Sequence, residues 1–338
     1  MRALVIPSNR GDCLQDFFAA WGDRGGWDQV VVVEDNAERT FRVPAGALHF
    51  SWREIDDLLG EDAWIFSRRD SAILCFGLLV AWHLGAEHVL TLSDDCFPGS
   101  RQKLAPTFFD AHLDALAGHS RWVSSVPGLR VRGIPYQNTG TLPNVVANVG
   151  LWEGHPDLDA ISTFQTIAER AYPRYGLPCS NWIVPHGQYV PVCEMNLFIS
   201  RQGLPLFYFP KQGEGSPYHR FDDIWAGVLA KRLCDHLGWR LSVGVPFVHH
   251  QRASDPFTNL VKEAPGIKLN ETFWETVEGV RLSTESWGWS IKQMGHGLQE
   301  SGDSYLAQLG KALHVWHHLL HSPKLPPTLG AACLAVKL

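Results

Sequence analysis

The chain has 338 residues, 45% of them hydrophobic, and a formal net charge of −6 at pH 7, so it can bury a full core as one large domain or a domain with an appended part. The negative charge and the lack of a basic run exclude a nucleic-acid surface, and the seven scattered cysteines, without CxxC, exclude a disulfide framework and a structural zinc site. Because the longest apolar stretch, from Ser71 to Leu84, is too short to cross a bilayer, we expect a cytoplasmic protein without membrane insertion.

The first hundred residues alternate between predicted strands and predicted helices. Asp70 is a candidate N-cap for a buried helix that runs to Leu84, and Gly85 stops that helix. Continuously apolar strands separated by helices indicate a parallel sheet covered on both faces. The other elements predicted here are strands over residues 3–7, 29–35 and 88–92 and a helix over 12–21.

The rest of the chain is less regular up to about residue 220. Residues 133–152 are rich in turn formers, residues 183–201 indicate strands joined by Gly187, and residues 211–220 indicate an exposed loop. A helix over 221–238, a strand over 241–250 and a helical, Trp- and His-rich tail follow. We therefore expect a catalytic domain over residues 1–268 and a helical C-terminal extension over 269–338.

Two adjacent acids, Asp94 and Asp95, follow the predicted strand over 88–92. Ligands of open α/β sheets bind at the carboxyl ends of the strands, and two neighbouring carboxylates repel unless a cation or a set of donors offsets their charge. Mg²⁺ or Mn²⁺ would do so, bound by one or two carboxylates and by the phosphates of a substrate. The alternative is that the pair only caps a turn.

Other residues allow a similar choice between function and structure. His250, at the end of a predicted strand, could complete a metal shell or belong to the core. Asp222 and Asp223 suit the first turn of a helix, although the preceding loop could also close over an anionic substrate. The arginines that could pair with phosphate are Arg10, Arg68, Arg69 and Arg252.

Several segments together resemble one family, the reversibly glycosylated polypeptides of plants, also known as UDP-arabinopyranose mutases, and their bacterial relatives. "VIPSNR" resembles V-I-P-T-x-R, "FSRRDSAILCFG" resembles F-K-D-S-A-x-x-C-F-G, and "LSDDCF" resembles I-D-D-D-C-F. "VPHGQYVPVCEMNL" is similar to I-P-K-G-T-L-F-P-M-C-G-M-N-L. The strongest similarity joins "RFDDIWAGVLAKRLCDHLG" and "VPFVHHQRASDPFTNLVKE" to R-Y-D-D-M-W-A-G-…-C-D-H-L-G and P-Y-I-W-H-S-K-A-S-N-P-F-V-N-L-K-K-E.

The resemblance implies an α/β fold with a glycosyltransferase-A-like mixed sheet, a divalent metal, Mn²⁺ or Mg²⁺, and a nucleotide-sugar substrate whose pyranose and furanose forms are interconverted. A homo-oligomer is also expected. The residues that it implies are Asp222, Asp223 and Arg220 for catalysis; Pro7, Arg10, Asp35, Arg69, Asp70, Asn196 and Arg252 for substrate binding; and Asp94, Asp95 and His250 for the metal.

The chain also departs from the family pattern. Ser93 replaces the first of three consecutive acids, and Thr139 occupies the position of the family's self-glycosylated Arg in G-Y-P-F-S-L-R-E-G. Thr139 cannot form that adduct, so a non-covalent route is favoured, and GDP-linked hexoses such as GDP-fucose stay open beside UDP-arabinose. Two rival hypotheses remain: a metal-dependent glycosyltransferase with a small acceptor, and a non-catalytic subunit that pairs with an active homologue.

Overall fold

A mixed β-sheet forms the centre of the computed structural model, which describes residues 1–100, 105–124, 131–169, 180–251, 254–283 and 285–322. The strands in these ranges are β1 (Arg2–Ser8), β2 (Gln29–Glu34), β3 (Leu48–Phe50), β4 (His88–Leu92), β5 (Cys96–Pro98), β6 (Val145–Gly154), β7 (Trp182–Ile183), β8 (Asn196–Ser200) and β9 (Arg240–His250). The α-helices are α1 (Gly11–Trp21), α2 (Trp52–Leu59), α3 (Leu74–His83), α4 (Phe108–Ala117), α5 (Ala160–Ala168), α6 (Asp222–His236), α7 (Pro256–Gly279), α8 (Trp287–Gln299) and α9 (Ser304–Leu320).

Strand order in the sheet is β3-β2-β1-β4-β8-β6-β9-β5, with β7 paired to β9. Strands β1 to β4 are parallel to one another, whereas β8 is antiparallel to both β4 and β6. Because β8 runs the opposite way, its first residue Asn196 pairs with Leu92, the last residue of β4. The loop before β8 therefore reaches the same edge of the sheet as the carboxyl ends of β1, β2 and β4.

The predicted α/β architecture, a mixed sheet flanked by helices with a helical C-terminal segment, is confirmed. Strands β1, β2 and β4 are continuously apolar because helices cover both faces of the sheet, as expected for buried parallel strands. The predicted cap is also present: Asp70 Oδ1 accepts a hydrogen bond of 3.2 Å from the Ala72 amide at the start of a 3₁₀ turn that leads into α3.

One central strand was not predicted from the sequence. Residues 145–154, most of them in the stretch over 133–152 that is rich in turn formers, form β6, which pairs with β8 and with β9. The neighbouring prediction is partly right, because residues 183–201 do hold β7 and β8, but these strands pair with β9 and with β4 and β6 rather than with each other. Apolar and polar residues do not alternate along β6, because its residues 146–150 are buried and Asn148 belongs to an internal polar network.

Aromatic packing fixes the start of α6 against the C-terminal helices. The Trp225 ring stacks on Phe221 and Phe273, with centroids 5.3 and 5.0 Å away, and its Nε1 donates to Asn270 Oδ1 at 2.9 Å. Gly266 makes the close approach of α7 possible, because a Cβ there would lie 2.5 Å from the Phe221 ring. Burial of such rings contributes about 1.5–3 kcal/mol each, so the first turn of α6 is firmly placed.

Helices α7, α8 and α9 share one hydrophobic cluster with the sheet and α6. Residue 268, where the sequence analysis ends the catalytic domain, lies inside α7. The division of the chain into two domains at that residue stays a prediction. Within the described ranges, no helix is both long enough and apolar enough to span a membrane.

Candidate functional site

The carboxyl ends of β1 and β4 bring Ser8, Arg10, Asp94 and Asp95 together, and we call Asp94 and Asp95 the strand-end pair. Ser8 Oγ donates to Asp94 Oδ2 at 2.5 Å, and Arg10 Nε donates to the same oxygen at 3.3 Å. Arg10 Nη2 also contacts Asp94 Oδ1 and lies 3.0 Å from Asp95 Oδ2. The predicted acids therefore meet a guanidinium and a hydroxyl.

Charge on the strand-end pair is largely compensated. Burial raises the pKa of Asp94, whose side chain is only 2% exposed, while Ser8 and Arg10 act to lower it. Burial acts to lower the pKa of Arg10, but the two carboxylates raise it overall. Arg10 therefore favours the charged form of Asp94, against the effect of burial, and offsets part of the repulsion between the two acids.

His250 lies next to the strand-end pair through backbone pairing, since Cys96 and His250 are partners in the β5–β9 ladder and the Gln251 amide donates to Asp95 O at 3.2 Å. The ring Nδ1 lies 2.9 Å from the carbonyl oxygen of His155, which can only accept, so Nδ1 carries the proton and Nε2 is the lone-pair nitrogen. Metal-bound histidines commonly have this arrangement. Two carboxylates and an imidazole nitrogen are ligand types that Mn²⁺ accepts. Their ligand atoms do not lie within 4.8 Å of one another, which in the described part of the chain is found for Asp157, Cys193 and Asp223, so the three groups would have to draw together around a cation.

Asp35, at the end of β2, organises the next segment of the site. Its Oδ1 accepts from Trp52 Nε1 and from the Arg69 amide, both at 2.8 Å, and its Oδ2 accepts from the Asp70 amide at 2.9 Å. These bonds hold Arg69 at φ 57°, a left-handed conformation uncommon outside glycine. Asp35 thus positions the backbone of two predicted substrate-binding residues.

Five carboxyl groups gather beside this segment, and we call them the acid cluster. They come from four places in the chain: the 3₁₀ turn before α3, the loop after β6, the loop before β8 and the first turn of α6. Glu194 and Asp222 are buried, Asp70 and Asp223 are half-buried, and Asp157 is exposed, so the cluster opens to solvent on one side. Its members are Asp70, Asp157, Glu194, Asp222 and Asp223.

Burial is the main cause of raised pKa values in the acid cluster. It raises the pKa of Asp70 to about 7, with Glu194 and Asp35 adding to the effect. The pKa values of Asp222, Asp223 and Glu194 are also raised, first by burial and then by the neighbouring carboxylates. A raised pKa favours the protonated form, so Asp70, Glu194, Asp222 and Asp223 hold a proton more readily than ordinary carboxyl groups do.

Arg220 stands at the edge of the acid cluster and is itself positioned by α7. Its Nε donates to Glu263 Oε1 at 2.8 Å, and Glu263 Oε2 accepts from the Ala160 amide at 2.8 Å. Arg220 also has a left-handed backbone, with φ 66°. Because Glu263 is nearly buried, with 6% of its side chain exposed, α7 contributes directly to the geometry of this site.

Cys193 adds a sulfur to the acid cluster. Its Sγ donates to Asp157 Oδ2 at 3.2 Å, and one ligand atom each of Asp157, Cys193 and Asp223 lie within 4.8 Å of one another. Burial, followed by the Asp157, Glu194 and Asp223 carboxyl groups, raises the pKa of the thiol well above its usual value. The thiol is therefore protonated, which suits a hydrogen-bond donor better than a metal ligand.

Some predicted residues lie apart from these groups. Pro7 is buried within β1, and Arg252 falls outside the described residues. Asn196 donates to the carbonyl oxygens of Leu151 and Pro246 at 3.0 and 2.9 Å, and its Oδ1 accepts from His112 Nε2 at 2.9 Å. Its amide joins strands inside the sheet, so its contacts are structural.

His112 completes this internal polar network. Its Nδ1 accepts from Asn148 Nδ2 at 3.0 Å, which fixes the neutral tautomer with the proton on Nε2. Burial lowers the pKa of His112 to about 3.

Sequence reasoning missed three acids of the site: Asp157, Glu194 and Glu263. Asp157 lies outside the quoted motifs, and only the fold brings it to Asp223. Glu263 is the last residue of "VPFVHHQRASDPFTNLVKE", where the family pattern also has Glu, but the motif does not indicate that its partner is Arg220. Glu194 did have a signal, because it lies in "VCEMNL", where the similar family motif has Gly.

A mixed sheet of this strand order, with a carboxylate pair at the tip of β4, defines an α/β protein with an acidic site at one sheet edge. The chain belongs to the reversibly glycosylated polypeptide family, whose model matches residues 3–322. It is 30% identical to "Probable UDP-arabinopyranose mutase 1" of Solanum tuberosum over 98% of this chain and 93% of that protein. It is 31% identical to "UDP-arabinopyranose mutase 1" of Arabidopsis thaliana over 84% of this chain and 80% of that protein.

Two solved structures are similar to this chain only at low TM-scores. A mycobacterial protein aligns with 75% of this chain and 68% of its own at 16% identity and TM-score 0.36. The apo form of mouse xyloside xylosyltransferase 1 aligns with 80% and 83% at 12% identity and TM-score 0.29. At these scores neither carries an argument about this chain.

Proposed function

We propose that this chain is a nucleotide-sugar mutase that interconverts the pyranose and furanose forms of a nucleotide-linked sugar. Its family membership and the names of its plant relatives support the reaction class. The observation that carries the proposal is the juxtaposition of two unlike carboxylate groups at one sheet edge. Such a reaction needs a charged anchor for the diphosphate and, next to it, groups that move protons on the sugar.

The diphosphate is assigned to the strand-end pair and the arginines around it. Asp94, Asp95 and His250 would hold the divalent cation, and the chemistry that Mn²⁺ or Mg²⁺ supplies when bound is neutralisation of charge on a leaving diphosphate. Arg10 and Arg69 keep the departed nucleotide in place, because a guanidinium binds phosphate through two parallel N–H donors. Arg252 is proposed for the same role from its motif alone.

The sugar is assigned to the acid cluster. Asp222 and Asp223 lie in the first turn of α6 and retain protons, so they can donate to a sugar oxygen as well as accept from a hydroxyl. Arg220, fixed by Glu263, orients the sugar at the solvent side. Both fragments must stay bound while the sugar opens and recloses, because an escaped cationic sugar fragment would react with water.

A non-covalent route is proposed for this chain. Thr139 belongs to the loop before β6, where the Arg121 amide donates to Gly140 O at 3.3 Å and the Leu142 amide donates to His119 O at 2.8 Å. These bonds tie the loop near the amino end of β6, whereas the acid cluster lies past its carboxyl end. UDP-arabinopyranose and a GDP-linked hexose such as GDP-fucose are the proposed substrate classes, and a cytoplasmic homo-oligomer stays a prediction.

Incubation of the purified chain with each nucleotide sugar, without an acceptor, tests the proposal. We expect a product of unchanged mass and different retention time by chromatography coupled to mass spectrometry, formed faster with Mn²⁺ than with EDTA. Hydrolysis alone, with sugar transfer once small acceptors are added, would favour a glycosyltransferase. Inactivity of the single chain that a homologous partner restores would favour the non-catalytic subunit.

A further inference from the structure

Glu194 is the least satisfied carboxylate of the acid cluster. The residue is 8% exposed, and its Oε2 has no hydrogen-bond partner among the residues that the structure describes. A buried polar atom left without a partner costs about 1–3 kcal/mol, so a folded protein rarely retains one unless a ligand or a reaction uses it. The unpaired oxygen therefore points to a polar group that is supplied by a substrate.

Asp223 is the neighbour that matters most to Glu194. A hydrogen bond from Asp223 acts to lower the pKa of Glu194, while the same contact raises the pKa of Asp223. One acid is thus a proton donor and the other an acceptor. The other titratable groups that interact with Glu194 are the adjacent Cys193 and, from other parts of the chain, Asp70, Cys96, Asp157 and Asp222.

Ring contraction of a sugar requires two proton transfers at neighbouring oxygens. After the nucleotide diphosphate has left the anomeric carbon, a ring hydroxyl attacks that carbon and must lose its proton. The bond from the anomeric carbon to the former ring oxygen then breaks, its electron pair stays on that oxygen, and the oxygen takes a proton. Return of the diphosphate to the anomeric carbon completes the exchange, with no net change in protons.

We propose that Glu194 and Asp223 act as a proton-exchanging pair in this step, an inference that rests on the function proposed above. Glu194 accepts the proton of the attacking hydroxyl, and Asp223, which begins protonated, gives its proton to the departing ring oxygen. The reverse reaction uses the same two groups with their roles exchanged. Because the similar family motif has Gly at the position of Glu194, this pair is a feature of the present chain rather than of the motif.

Glu194→Gln tests the role, because it keeps the size of the side chain and removes the proton acceptor. We expect kcat to fall about 10²- to 10⁴-fold, with KM and the Kd of the nucleoside diphosphate within threefold of the wild type. The wild-type kcat should fall as the pH decreases through the raised pKa of Glu194, and this acidic limb should be missing in the variant. Glu300→Gln, an exposed acid at the end of α8, is the matched control.

A second variant separates chemistry from folding. Glu194→Ala should lose at least as much activity, and added formate should restore part of it, which a merely structural role would not allow. If the wild type isomerises a nucleotide sugar and Glu194→Gln turns over within threefold of it, the role of Glu194 is overturned. The proposed function is then unaffected. A wild-type chain that isomerises none of the nucleotide sugars overturns the proposed function and this role with it.

Discussion

The strand-end pair and the acid cluster contain the same kind of group at the same sheet edge, but their surroundings differ. Arg10 and Ser8 contact Asp94, and Arg10 also contacts Asp95, so that pair is matched by a cation. Arg220, which stands at the edge of the acid cluster, directs its Nε to Glu263. One group of acids is therefore paired with a cation, while in the other group burial and like neighbours raise the pKa values of Asp70, Glu194, Asp222 and Asp223.

This difference shows that the environment of a carboxyl group, rather than its identity, sets its chemistry. A compensated carboxylate keeps its charge and can exchange its protein cation for a metal ion or a charged ligand. A buried carboxyl group among like neighbours has a pKa near the working pH and can transfer protons. A mutase needs both properties in one site. Single substitutions can change the strand-end pair or the acid cluster separately.

Loss of one charge from the strand-end pair should have the largest effect among these four predictions. Asp95→Asn keeps the shape of a side chain that is 18% exposed but removes its charge toward Arg10 and a bound cation. We expect a loss of about 10²- to 10³-fold in kcat/KM, the size typical of one electrostatic contact to developing charge. Steady-state kinetics and Mn²⁺ titration calorimetry measure it, with the exposed Asp57→Asn as control. Full activity of Asp95→Asn at saturating Mn²⁺ would show that the strand-end pair does not hold the cation during the reaction.

Loss of one charge from the acid cluster should instead stabilise the protein. A folded-state pKa of about 7 for Asp70, against 3.8 for the ordinary group, means that its ionisation destabilises the fold progressively as the pH rises from 3.8 through 7. Asp70→Asn should therefore raise the free energy of unfolding at pH 8 by about 1–3 kcal/mol, since Asp70 is half-buried. Its Oδ1 can still accept from the Ala72 amide.

Guanidinium unfolding at pH 8, 6 and 4 measures that gain, which should shrink as the pH falls from 7 toward 3.8, because the folded state keeps Asp70 protonated in that range and the unfolded state regains its proton only near 3.8. A gain that is the same at all three pH values would show that repulsion within the acid cluster is not its cause. The variant should also lose activity, which would make Asp70 a residue retained at a cost in stability.

The link between Arg220 and α7 should matter to catalysis more than to folding. Glu263→Gln removes the charge that Arg220 Nε faces, while one oxygen remains to accept from the Ala160 amide. We expect kcat/KM to fall about tenfold, the size of losing one positioned charge-assisted contact. Glu271→Gln, on the exposed face of α7, is the control. Equal activity of the two variants would show that Arg220 does not orient the sugar.

The sequence predicted those features that depend on interactions between residues close together in the chain. Apolar runs predicted β1, β2 and β4, and acids before an apolar-periodic segment predicted α6, because burial and helix capping act on nearby residues. The family motifs also predicted that Arg10, Asp94 and Asp95 belong to the same nucleotide and metal site. That Arg10 itself contacts both carboxylates could not be predicted, since no pattern in either segment specifies a pairing across more than eighty residues.

The rest of the candidate site depends on topology. Glu194 comes to Asp223 only because β8 runs antiparallel to β4, and Glu263 comes to Arg220 only because Gly266 lets α7 approach Phe221. Asn196 illustrates the opposite error: its place in a motif suggested the substrate, but a buried amide with three satisfied hydrogen bonds holds the sheet. Motif membership identifies a required residue without saying whether structure or chemistry requires it.

The smallest expected effect concerns Arg69, whose amide is bound by Asp35 and which directly precedes Asp70 of the acid cluster. Its left-handed backbone costs about 1–2 kcal/mol for an L-residue, and its side chain is 74% exposed with one ion pair of 3.3 Å to Glu214, which contributes little. Arg69→Gly should therefore stabilise the fold by about 0.5–1 kcal/mol, because relief of strain exceeds the added chain entropy. Arg69→Ala, which keeps the strain, should not.

Both variants should weaken nucleoside diphosphate binding about tenfold by calorimetry if the guanidinium contacts phosphate. Equal unfolding free energies for the two variants would mean that Asp35 imposes no strain on this residue, and unchanged binding would leave Arg10 to hold the diphosphate without it.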